Sequence, residues 1–225
     1  MLKLYFNAGF LKHRGMLMFS LFIKSKNWLA HHFPCQLCGL DSQHKATICQ
    51  DCWTQLPWET KKIIKQEIPI FIACRYEYPI NRIIQKFKYE QQLHFQHLLA
   101  TLILQSHLPK VQAIVPMPIS EERLIERGYN QSLEVAKIVA KILNIPIWQP
   151  IQRMHQHSQK GLTRLERIED IQSQFQIKND HKIRYRRVLI LDDVVTTGSS
   201  ILALKQSLEQ LGCQKIFACA IANAN

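Results

Sequence analysis

The sequence predicts an α/β domain with a mostly parallel sheet and flanking helices, preceded by a small cysteine-rich module. Two aliphatic runs, residues 113–115 and 188–191, are typical of strands buried on both faces of a parallel sheet. After the second run come a turn and helical periodicity from about Ser199 through Leu211, the order expected of a strand and its flanking helix. Four cysteines near the amino end form two closely spaced pairs, which indicates a separate module.

The cysteine pairs predict a structural zinc site. Cys35, Cys38, Cys49 and Cys52 form two Cys-x-x-Cys motifs. Four thiolates close a tetrahedral Zn²⁺ site and leave no open position for a substrate or water. A redox-active pair needs only one such motif, whereas the spacing leaves an iron–sulfur cluster open. So small a segment has almost no core, and we expect the metal to supply most of its folding free energy.

We expect three segments in the chain: an N-terminal extension over residues 1–32, the zinc module with a charged helical or linker stretch over residues 33–68, and the main domain over residues 69–225. Residues 17–23 are apolar and follow basic residues, as in a signal peptide, but the run is too short to span a bilayer. Met16 and Met18 are alternative starts, so whether residues 1–17 belong to the mature protein stays open. We expect no transmembrane segment, although a basic, apolar stretch can rest on a membrane as a peripheral contact.

The main domain is expected to begin with a strand and a basic helix. Residues 71–78 alternate apolar and polar side chains, and Pro79 then starts a helix. On this helix Arg82, Lys86 and Tyr89 fall on one face. Such a stripe suits a nucleic-acid backbone and a stacking base, and an ordinary solvated face explains it equally well.

Two loops follow the predicted parallel strands at their carboxyl ends, where open α/β sheets bind ligands. The first contains Pro116 and Pro118, which make it rigid. The second begins with Asp192 and Asp193, whose ionised carboxylates only accept hydrogen bonds and suit the vicinal hydroxyls of a ribose. Residues 196–200 then offer backbone N–H groups at the start of a helix, where a phosphate fits. The alternative is an ordinary capped helix after a buried strand, which does not require two adjacent acids.

The charge of the chain predicts an anionic partner. The 225 residues carry a formal charge of +12, with cationic residues dense between positions 153 and 187. Such a charge attracts phosphate backbones and anionic membranes non-specifically. Seven cysteines without a secreted disulfide pattern favour a reducing compartment, the cytoplasm. Our candidates for nucleic-acid or substrate contacts are Arg82, Lys86, Arg127, Lys160, Arg164 and Arg167.

The apolar strand, the acidic pair and the Thr-Thr-Gly-Ser turn resemble the phosphoribosyl-pyrophosphate (PRPP) loop of type I phosphoribosyltransferases. The resemblance implies that Asp192 and Asp193, as catalytic residues, contact the ribose hydroxyls. It implies that the 5′-phosphate is bound by Val194, Val195, Thr196, Thr197, Gly198, Ser199 and Ser200. It also implies a pyrophosphate loop at Pro116, Met117 and Pro118, and Mg²⁺ bound together with PRPP.

Together with the cysteine pairs and the motif Arg127-Gly-Tyr-Asn-Gln131, these features resemble the competence protein F (ComF) family over roughly residues 33 to 222. The resemblance implies a DNA-uptake protein of natural transformation that handles incoming single-stranded DNA, with other DNA-uptake or recombination proteins as partners. The alternative is an active enzyme that transfers ribose 5-phosphate from PRPP to an unknown acceptor and releases pyrophosphate. A third interpretation is a PRPP sensor that modulates DNA binding, and the sequence does not rank sensor against enzyme.

Overall fold

The computed structural model describes residues 33–154, 174–178 and 185–224. These residues divide into two compact units, the first ending at Gln55 and the second beginning at Leu56. The second unit begins earlier than residue 69 because the charged stretch is a strand, β1 (Trp58–Lys65), and not the helix or linker that we expected. β1 pairs antiparallel with β2 (Ile68–Arg75), so it belongs to the sheet of the second unit.

The first unit is organised around its cysteines. Isolated bridges join Pro34 to Ser42 and Lys45 to Ile48. One short helix, α1 (Gln50–Thr54), follows, and the sulfur of Cys49 caps it by accepting a hydrogen bond from the backbone N–H of Cys52. Among the described residues of this unit only Cys35, Ile48 and Cys49 are buried. So small a buried set cannot hold the segment together by apolar burial alone.

The second unit contains a five-stranded sheet in the order β1-β2-β7-β6-β3. β3 is Ala113–Pro116, β6 is Arg187–Val195 and β7 is Lys215–Asn223. β2, β7, β6 and β3 run parallel, and only the edge strand β1 is antiparallel. The mostly parallel sheet is confirmed, and so are the two aliphatic runs as buried strands. A separate antiparallel pair is formed by β4 (Ile151–Arg153) and β5 (Phe175–Ile177).

Helices accompany the parallel strands. They are α2 (Ile80–Tyr89), α3 (Gln96–Leu104, entered through a 3₁₀ turn at Leu93–Phe95), α4 (Glu121–Arg127), α5 (Gln131–Leu143) and α6 (Ser199–Gln210). α2 buries Ile83, Ile84 and Phe87, the apolar side expected from its periodicity. Within the described part of the chain, no helix has the length and apolar character needed to cross a membrane.

The topology places the two candidate loops side by side. β3 and β6 are neighbours in the sheet, and the register pairs Pro116 with Leu191. Because the two strands are parallel, the loops that follow them open on the same edge of the sheet. The sheet thereby brings together two loops that are about 75 residues apart in the sequence.

Candidate functional site

The acidic pair lies inside a strand and not after it. β6 continues through Asp192 and Asp193 to Val195, whereas the sequence indicated a strand over residues 188–191. Successive side chains of a strand point to opposite faces. Asp193 is therefore buried on one face, with its side chain 7% exposed, while Asp192 on the other is half-buried. Val195 is buried in the core, so only its backbone is available to a ligand.

Asp193 is held by a lysine that the sequence analysis did not single out. Its Oδ1 accepts a hydrogen bond from the backbone N–H of Val194 at 2.6 Å and lies 2.8 Å from Nζ of Lys88 on α2. Burial lowers the pKa of Lys88, but attraction to Asp193 and then to Asp192 outweighs burial, so the net shift is upward. Lys88 therefore stays charged at neutral pH. Among the described residues, the buried Oδ2 of Asp193 has no hydrogen-bond partner.

Asp192 titrates near neutral pH. Burial and the neighbouring Asp193 carboxylate raise its pKa to about 7, against the opposing effect of Lys88, the backbone N–H of Asp193 and Arg153. Its Oδ1 accepts from the backbone N–H of Asp193 at 2.9 Å and from the hydroxyl of Ser132 at 3.5 Å. When Asp192 is ionised, Lys88 pairs with Asp193 alone, and a cation or hydroxyl donors from a ligand can offset the charge of Asp192.

Residues 196–198 form a turn that leads directly into α6, which begins at Ser199, and residues 196–200 together are called the turn below. Gly198 adopts φ +83°, a left-handed conformation that glycine reaches without steric cost. The hydroxyls of Thr197 and Ser199 lie 2.9 Å apart, and the Ser199 N–H donates to Thr197 Oγ1 at 3.4 Å. The turn and Asp192 line a small cleft of about 150 Å³ at the N-terminus of this twelve-residue helix. Hydroxyls, backbone N–H groups and the positive end of a helix dipole together suit a phosphate.

Lys65 fixes the outer side of this turn. Its Nζ donates to the carbonyl oxygen of Thr196 and to Oδ1 of Asn223, the latter at 3.0 Å. A Cβ added to Gly198 would lie 3.2 Å from Cβ of Lys65, so the approach leaves little room for a side chain. The sequence analysis selected neither residue: the segment with Lys65 was expected to be a helix or linker, and Asn223, at the end of β7, belongs to no motif.

The loop at residues 116–118, the predicted pyrophosphate loop, is anchored on both sides by hydrogen bonds. Pro116 ends β3, and the Met117 N–H donates to the carbonyl of Leu191 in β6 at 2.9 Å. The Met117 carbonyl accepts from Nδ2 of Asn130 at 3.0 Å, while Oδ1 of Asn130 caps α5 by accepting from the Leu133 N–H at 3.2 Å. One asparagine thus couples the loop to the start of a helix.

A larger cavity of about 470 Å³ adjoins this loop. Its lining includes Pro116, Pro118, Asn130 and Arg153. Arg153 lies on β4, where Gln174 Oε1 accepts from its Nε and one terminal nitrogen at 3.3 and 3.0 Å. A guanidinium beside the pyrophosphate loop suits an anionic group bound there, and the sequence analysis did not select this residue for the site.

Arg127 is a buried brace in this structure. It is 7% exposed, donates to Gln131 Oε1 at 3.1 Å, and has its guanidinium carbon 5.0 Å from the centre of the Tyr89 ring. The hydroxyl of Tyr129 donates to the Phe87 carbonyl. Arg127 therefore ties α4 and α5 to α2, and its role as a nucleic-acid or substrate contact stays a prediction.

The other predicted contacts are placed as follows. Arg82 is exposed on α2, and its guanidinium lies 3.1 Å from the Glu90 carboxylate. Lys86 is half-buried on the same helix. Neither residue borders the two cavities at the carboxyl edge. Lys160, Arg164 and Arg167 lie outside the described residues.

The four cysteines of the first unit form a cluster that can bind a metal ion. The sulfurs of Cys35, Cys38, Cys49 and Cys52 all lie within 4.8 Å of one another, and those of Cys38 and Cys49 are 3.8 Å apart. Four sulfurs placed tetrahedrally at about 2.3 Å from a central ion are themselves about 3.8 Å apart. The spacing therefore fits a single tetrahedral ion.

Backbone N–H groups favour the thiolate form of Cys35, whereas the pKa values of Cys49 and Cys52 are raised in the metal-free cluster. The N–H groups of Leu37 and Cys38 donate to the Cys35 sulfur at 3.4 and 3.5 Å, and that of Cys52 donates to the Cys49 sulfur at 3.4 Å. Burial acts to raise the pKa of Cys35, but the backbone N–H groups outweigh it and lower that pKa to about 6. Thiolates are the form that binds metal.

The chain is similar in sequence to a phosphoribosyl transferase domain and to competence and DNA utilization proteins. Residues 129–225 match the family model described as the phosphoribosyl transferase domain. Competence protein F of Haemophilus influenzae is 31% identical over 205 residues, covering 85% of this chain and 86% of that protein. Competence protein ComFC of Bacillus subtilis is 25% identical over 175 residues, covering 74% of this chain and 68% of the relative. DNA utilization protein YhgH of Salmonella typhi is 26% identical over 194 residues, covering 81% of this chain and 80% of that protein.

Among solved structures, orotate phosphoribosyltransferase from Aeropyrum pernix is similar over 60% of each chain, at 18% identity and a TM-score of 0.34. The two backbones agree only in part, and the fold assignment rests on the strand order and on the family model.

Proposed function

Because the chain belongs to the competence protein F (ComF) family, we propose that it handles incoming single-stranded DNA in the cytoplasm during DNA uptake, on a phosphoribosyltransferase-type domain that binds PRPP. The relatives are named competence and DNA utilization proteins, which supports the DNA role. The carboxyl edge of the sheet supports the PRPP role through its own geometry.

The observation that carries the PRPP proposal is the buried acidic pair next to a phosphate-sized cleft. Asp192 borders that cleft together with the turn at residues 196–200. Asp193 keeps one carboxylate oxygen without a partner among the described residues. Carboxylates suit ribose hydroxyls, and the turn with the N-terminus of α6 suits the 5′-phosphate. The pyrophosphate loop on the neighbouring strand completes a site for the second anionic end of PRPP.

Mg²⁺ fits the same edge of the sheet. Carboxylate oxygens and phosphates are the ligands that Mg²⁺ prefers, and the acidic pair supplies carboxylates in excess of the single positive charge of Lys88. When bound with PRPP, the ion would offset the negative charge of the pyrophosphate group. In this proposal Asp192 and Asp193 position the ribose, while the N–H groups and hydroxyls of the turn bind its phosphate.

Titration calorimetry with PRPP and Mg²⁺ tests this site. We expect one PRPP per chain and at least a tenfold loss of affinity in Asp193→Asn, about 1.4 kcal/mol. Glu209→Gln is the matched control, because it removes one carboxylate from the exposed end of α6. If Asp193→Asn folds and binds PRPP as tightly as the wild type, the role given to the acidic pair is wrong.

We propose that the cysteine cluster binds zinc. Four sulfur ligands at tetrahedral spacing leave no open coordination position, which supports a structural and not a catalytic ion. Elemental analysis of the purified protein should give one zinc per chain. Iron together with inorganic sulfide would instead identify a cluster.

Single-stranded DNA binding is tested by fluorescence anisotropy with a labelled oligonucleotide over a salt series. If Lys and Arg side chains contact its phosphates, the logarithm of affinity should fall against the logarithm of salt concentration with a slope of about −0.7 per contact. A chain that shows no binding even at low salt would remove the DNA proposal.

The cavity beside the pyrophosphate loop favours a second candidate, an active phosphoribosyltransferase. Its volume of about 470 Å³ leaves room for an acceptor next to PRPP. Positioning and charge stabilisation would then drive the transfer of ribose 5-phosphate with release of pyrophosphate. Pyrophosphate release from PRPP, measured across a panel of amines and nucleobases, tests it. If folded, metal-loaded protein that binds PRPP releases none with any of these acceptors, the site binds PRPP without transferring its ribose 5-phosphate to them.

A further inference from the structure

The amino edge of the sheet carries a second basic site, at the opposite end of the strands from the acidic pair. A groove of about 320 Å³, which we call the amino-edge groove, is lined by the cations Lys110, Arg186, Arg187 and Lys215 and by Gln112 and Gln214. All four cations are exposed. No acidic residue of the described chain lines the groove.

The sheet itself places these cations next to one another. The register pairs Arg187, the first residue of β6, with Lys215, the first residue of β7. Lys110 shortly precedes β3, on the other side of β6. Neighbouring strands are separated by about 4.8 Å, so the cations span roughly 10 Å across three strands. Like charges on paired strands repel each other, and an anion in the groove would relieve that repulsion.

The backbone at this edge is held firmly by Gln112. Its Oε1 accepts from the N–H groups of both Arg186 and Arg187, at 3.0 and 2.9 Å. Its own N–H donates to the Arg187 carbonyl at 2.8 Å. The Arg186 carbonyl in turn accepts from the N–H groups of Gln214 and Lys215 at 2.8 and 2.9 Å. The cationic side chains therefore project from a hydrogen-bonded platform.

The groove differs from the basic stripe on α2 in its charge balance. There, Arg82 is paired with Glu90. In the groove, no carboxylate of the described residues forms an ion pair with Lys110, Arg186, Arg187 or Lys215. Two adjacent arginines flanked by lysines and amides suit successive phosphates, because guanidinium groups bind phosphate with two parallel hydrogen bonds.

We propose that the amino-edge groove binds the phosphates of a single-stranded nucleic acid. This inference rests on the proposed DNA function and assigns it a surface. β6 is nine residues long, so the groove lies about 26 Å from the far end of that strand, where the turn at residues 196–200 begins. DNA in the groove and PRPP at the carboxyl edge therefore occupy separate sites, and both can be bound at once.

The test compares two variants that each lose two positive charges. Arg186→Gln/Arg187→Gln removes charge from the groove and keeps the backbone N–H groups that Gln112 holds. Lys137→Gln/Lys141→Gln removes the same charge from the exposed side of α5. Affinity for a labelled thirty-nucleotide deoxythymidine strand is measured by anisotropy over a salt series. PRPP affinity and melting temperature are measured in parallel, to show that fold and carboxyl-edge site are intact.

We expect the groove variant to lose two phosphate contacts, which corresponds to about 25-fold weaker binding at 0.1 M salt and a slope shallower by about 1.4. The α5 variant should stay within about twofold of the wild type, since it removes charge without removing contacts. PRPP affinity should be unchanged in both.

Other outcomes would overturn the inference in distinguishable ways. If the wild type does not bind the oligonucleotide, the proposed DNA function fails, and this inference fails with it. If the wild type binds but both variants bind equally well, or weaken equally, DNA binds elsewhere or responds only to net charge, and the DNA function stands. Polyglutamate at equal charge concentration is a further competitor. If it displaces the oligonucleotide from the wild type and binds more weakly to the groove variant alone, the groove is a site for acidic protein.

Discussion

Nζ of Lys88 on α2 lies 2.8 Å from Oδ1 of Asp193 on β6, and this ion pair joins α2 to the acidic pair at the carboxyl edge of the sheet. Both side chains are largely buried, 18% and 7% exposed. A buried carboxylate without a cation is costly, so α2 supplies the charge that allows two adjacent acids to lie in a buried strand. If PRPP binds here as proposed, it must compete with this ion pair or bring Mg²⁺ beside it.

Replacement of Lys88 should destabilise the protein strongly. In Lys88→Met the carboxylate of Asp193 remains buried without its cation, and we expect the free energy of unfolding to fall by about 3 kcal/mol. Urea unfolding followed by circular dichroism measures the change. Lys86→Met, on the same helix and with no ion pair to another described residue, should change stability by less than about 0.5 kcal/mol. Equal stability of the two variants would mean that the ion pair contributes nothing to the fold.

Stability should decrease as pH rises through the window set by Asp192. Its pKa is raised to about 7 in the folded protein from 3.8, so between these values the folded state binds more protons than the unfolded state. The contribution of this group is thus fully present below pH 4 and is lost as pH approaches 7. Unfolding curves at pH 5, 6, 7 and 8 measure the trend.

Asp192→Asn provides the reference for this pH dependence. Because asparagine does not titrate, the difference in free energy of unfolding between wild type and variant should change between pH 5 and 7 and level off above that range. A difference that stays constant from pH 5 to 8 would place the pKa of Asp192 outside this window.

Removal of the metal should unfold the cysteine module and leave the second unit intact. Metal binding supplies about 10 to 16 kcal/mol to the folding of zinc-finger peptides, and the first unit has few other buried groups. A strong chelator, or Cys49→Ser, should expose residues before Gln55 to limited proteolysis. PRPP affinity, carried by the second unit, should persist.

The control for the metal prediction is Cys213→Ser. This cysteine is buried in the second unit and is not one of the four cysteines of the cluster, and its thiol donates to the Tyr185 carbonyl at 3.0 Å. The variant should keep one metal ion per chain and the wild-type proteolysis pattern. If Cys49→Ser retains both properties as well, the cluster does not bind the ion.

PRPP binding should require glycine at position 198 for two reasons: its left-handed backbone conformation and its close approach to Lys65. Gly198 and Gly212 both have positive φ, +83° and +90°, and alanine costs about 1–2 kcal/mol of stability at either position. Only at Gly198 does the added Cβ meet Lys65, at 3.2 Å, whereas nothing lies within 4 Å at Gly212. Calorimetry should therefore show weaker PRPP binding for Gly198→Ala and unchanged binding for Gly212→Ala. Equal affinities would show that the turn tolerates displacement.

Asn130 should couple the pyrophosphate loop to α5 through its amide nitrogen. Asn130→Asp keeps an acceptor for the cap but loses the donor to the Met117 carbonyl. Aspartate caps helices as well as asparagine does, so the melting temperature should change little while pyrophosphate affinity falls. Loss of one hydrogen bond, about 1 kcal/mol, corresponds to roughly fivefold weaker binding. Unchanged pyrophosphate affinity would mean that Met117 is positioned without this bond.

Local sequence patterns predicted several strands, the acidic pair with its turn and the cysteine cluster. The aliphatic runs predicted β3 and the amino half of β6, because strands buried on both faces need uninterrupted apolar residues. The motif after β6 located the acidic pair and the start of α6, since the turn requires glycine at residue 198. The two Cys-x-x-Cys motifs predicted the sulfur cluster, because two ligands with two residues between them can face one ion.

The sequence by itself determined the acidic pair and the turn of the candidate site, the mostly parallel character of the sheet and the pattern of metal-binding cysteines. All of these depend on short-range spacing. Only the tertiary structure decided that Lys88 neutralises Asp193, that Arg127 is buried as a brace, and that β1 brings Lys65 to the turn. It also assembled the amino-edge groove from the starts of neighbouring strands. These contacts join residues far apart in the chain, and strand order and burial, which no local pattern encodes, determine which of them meet.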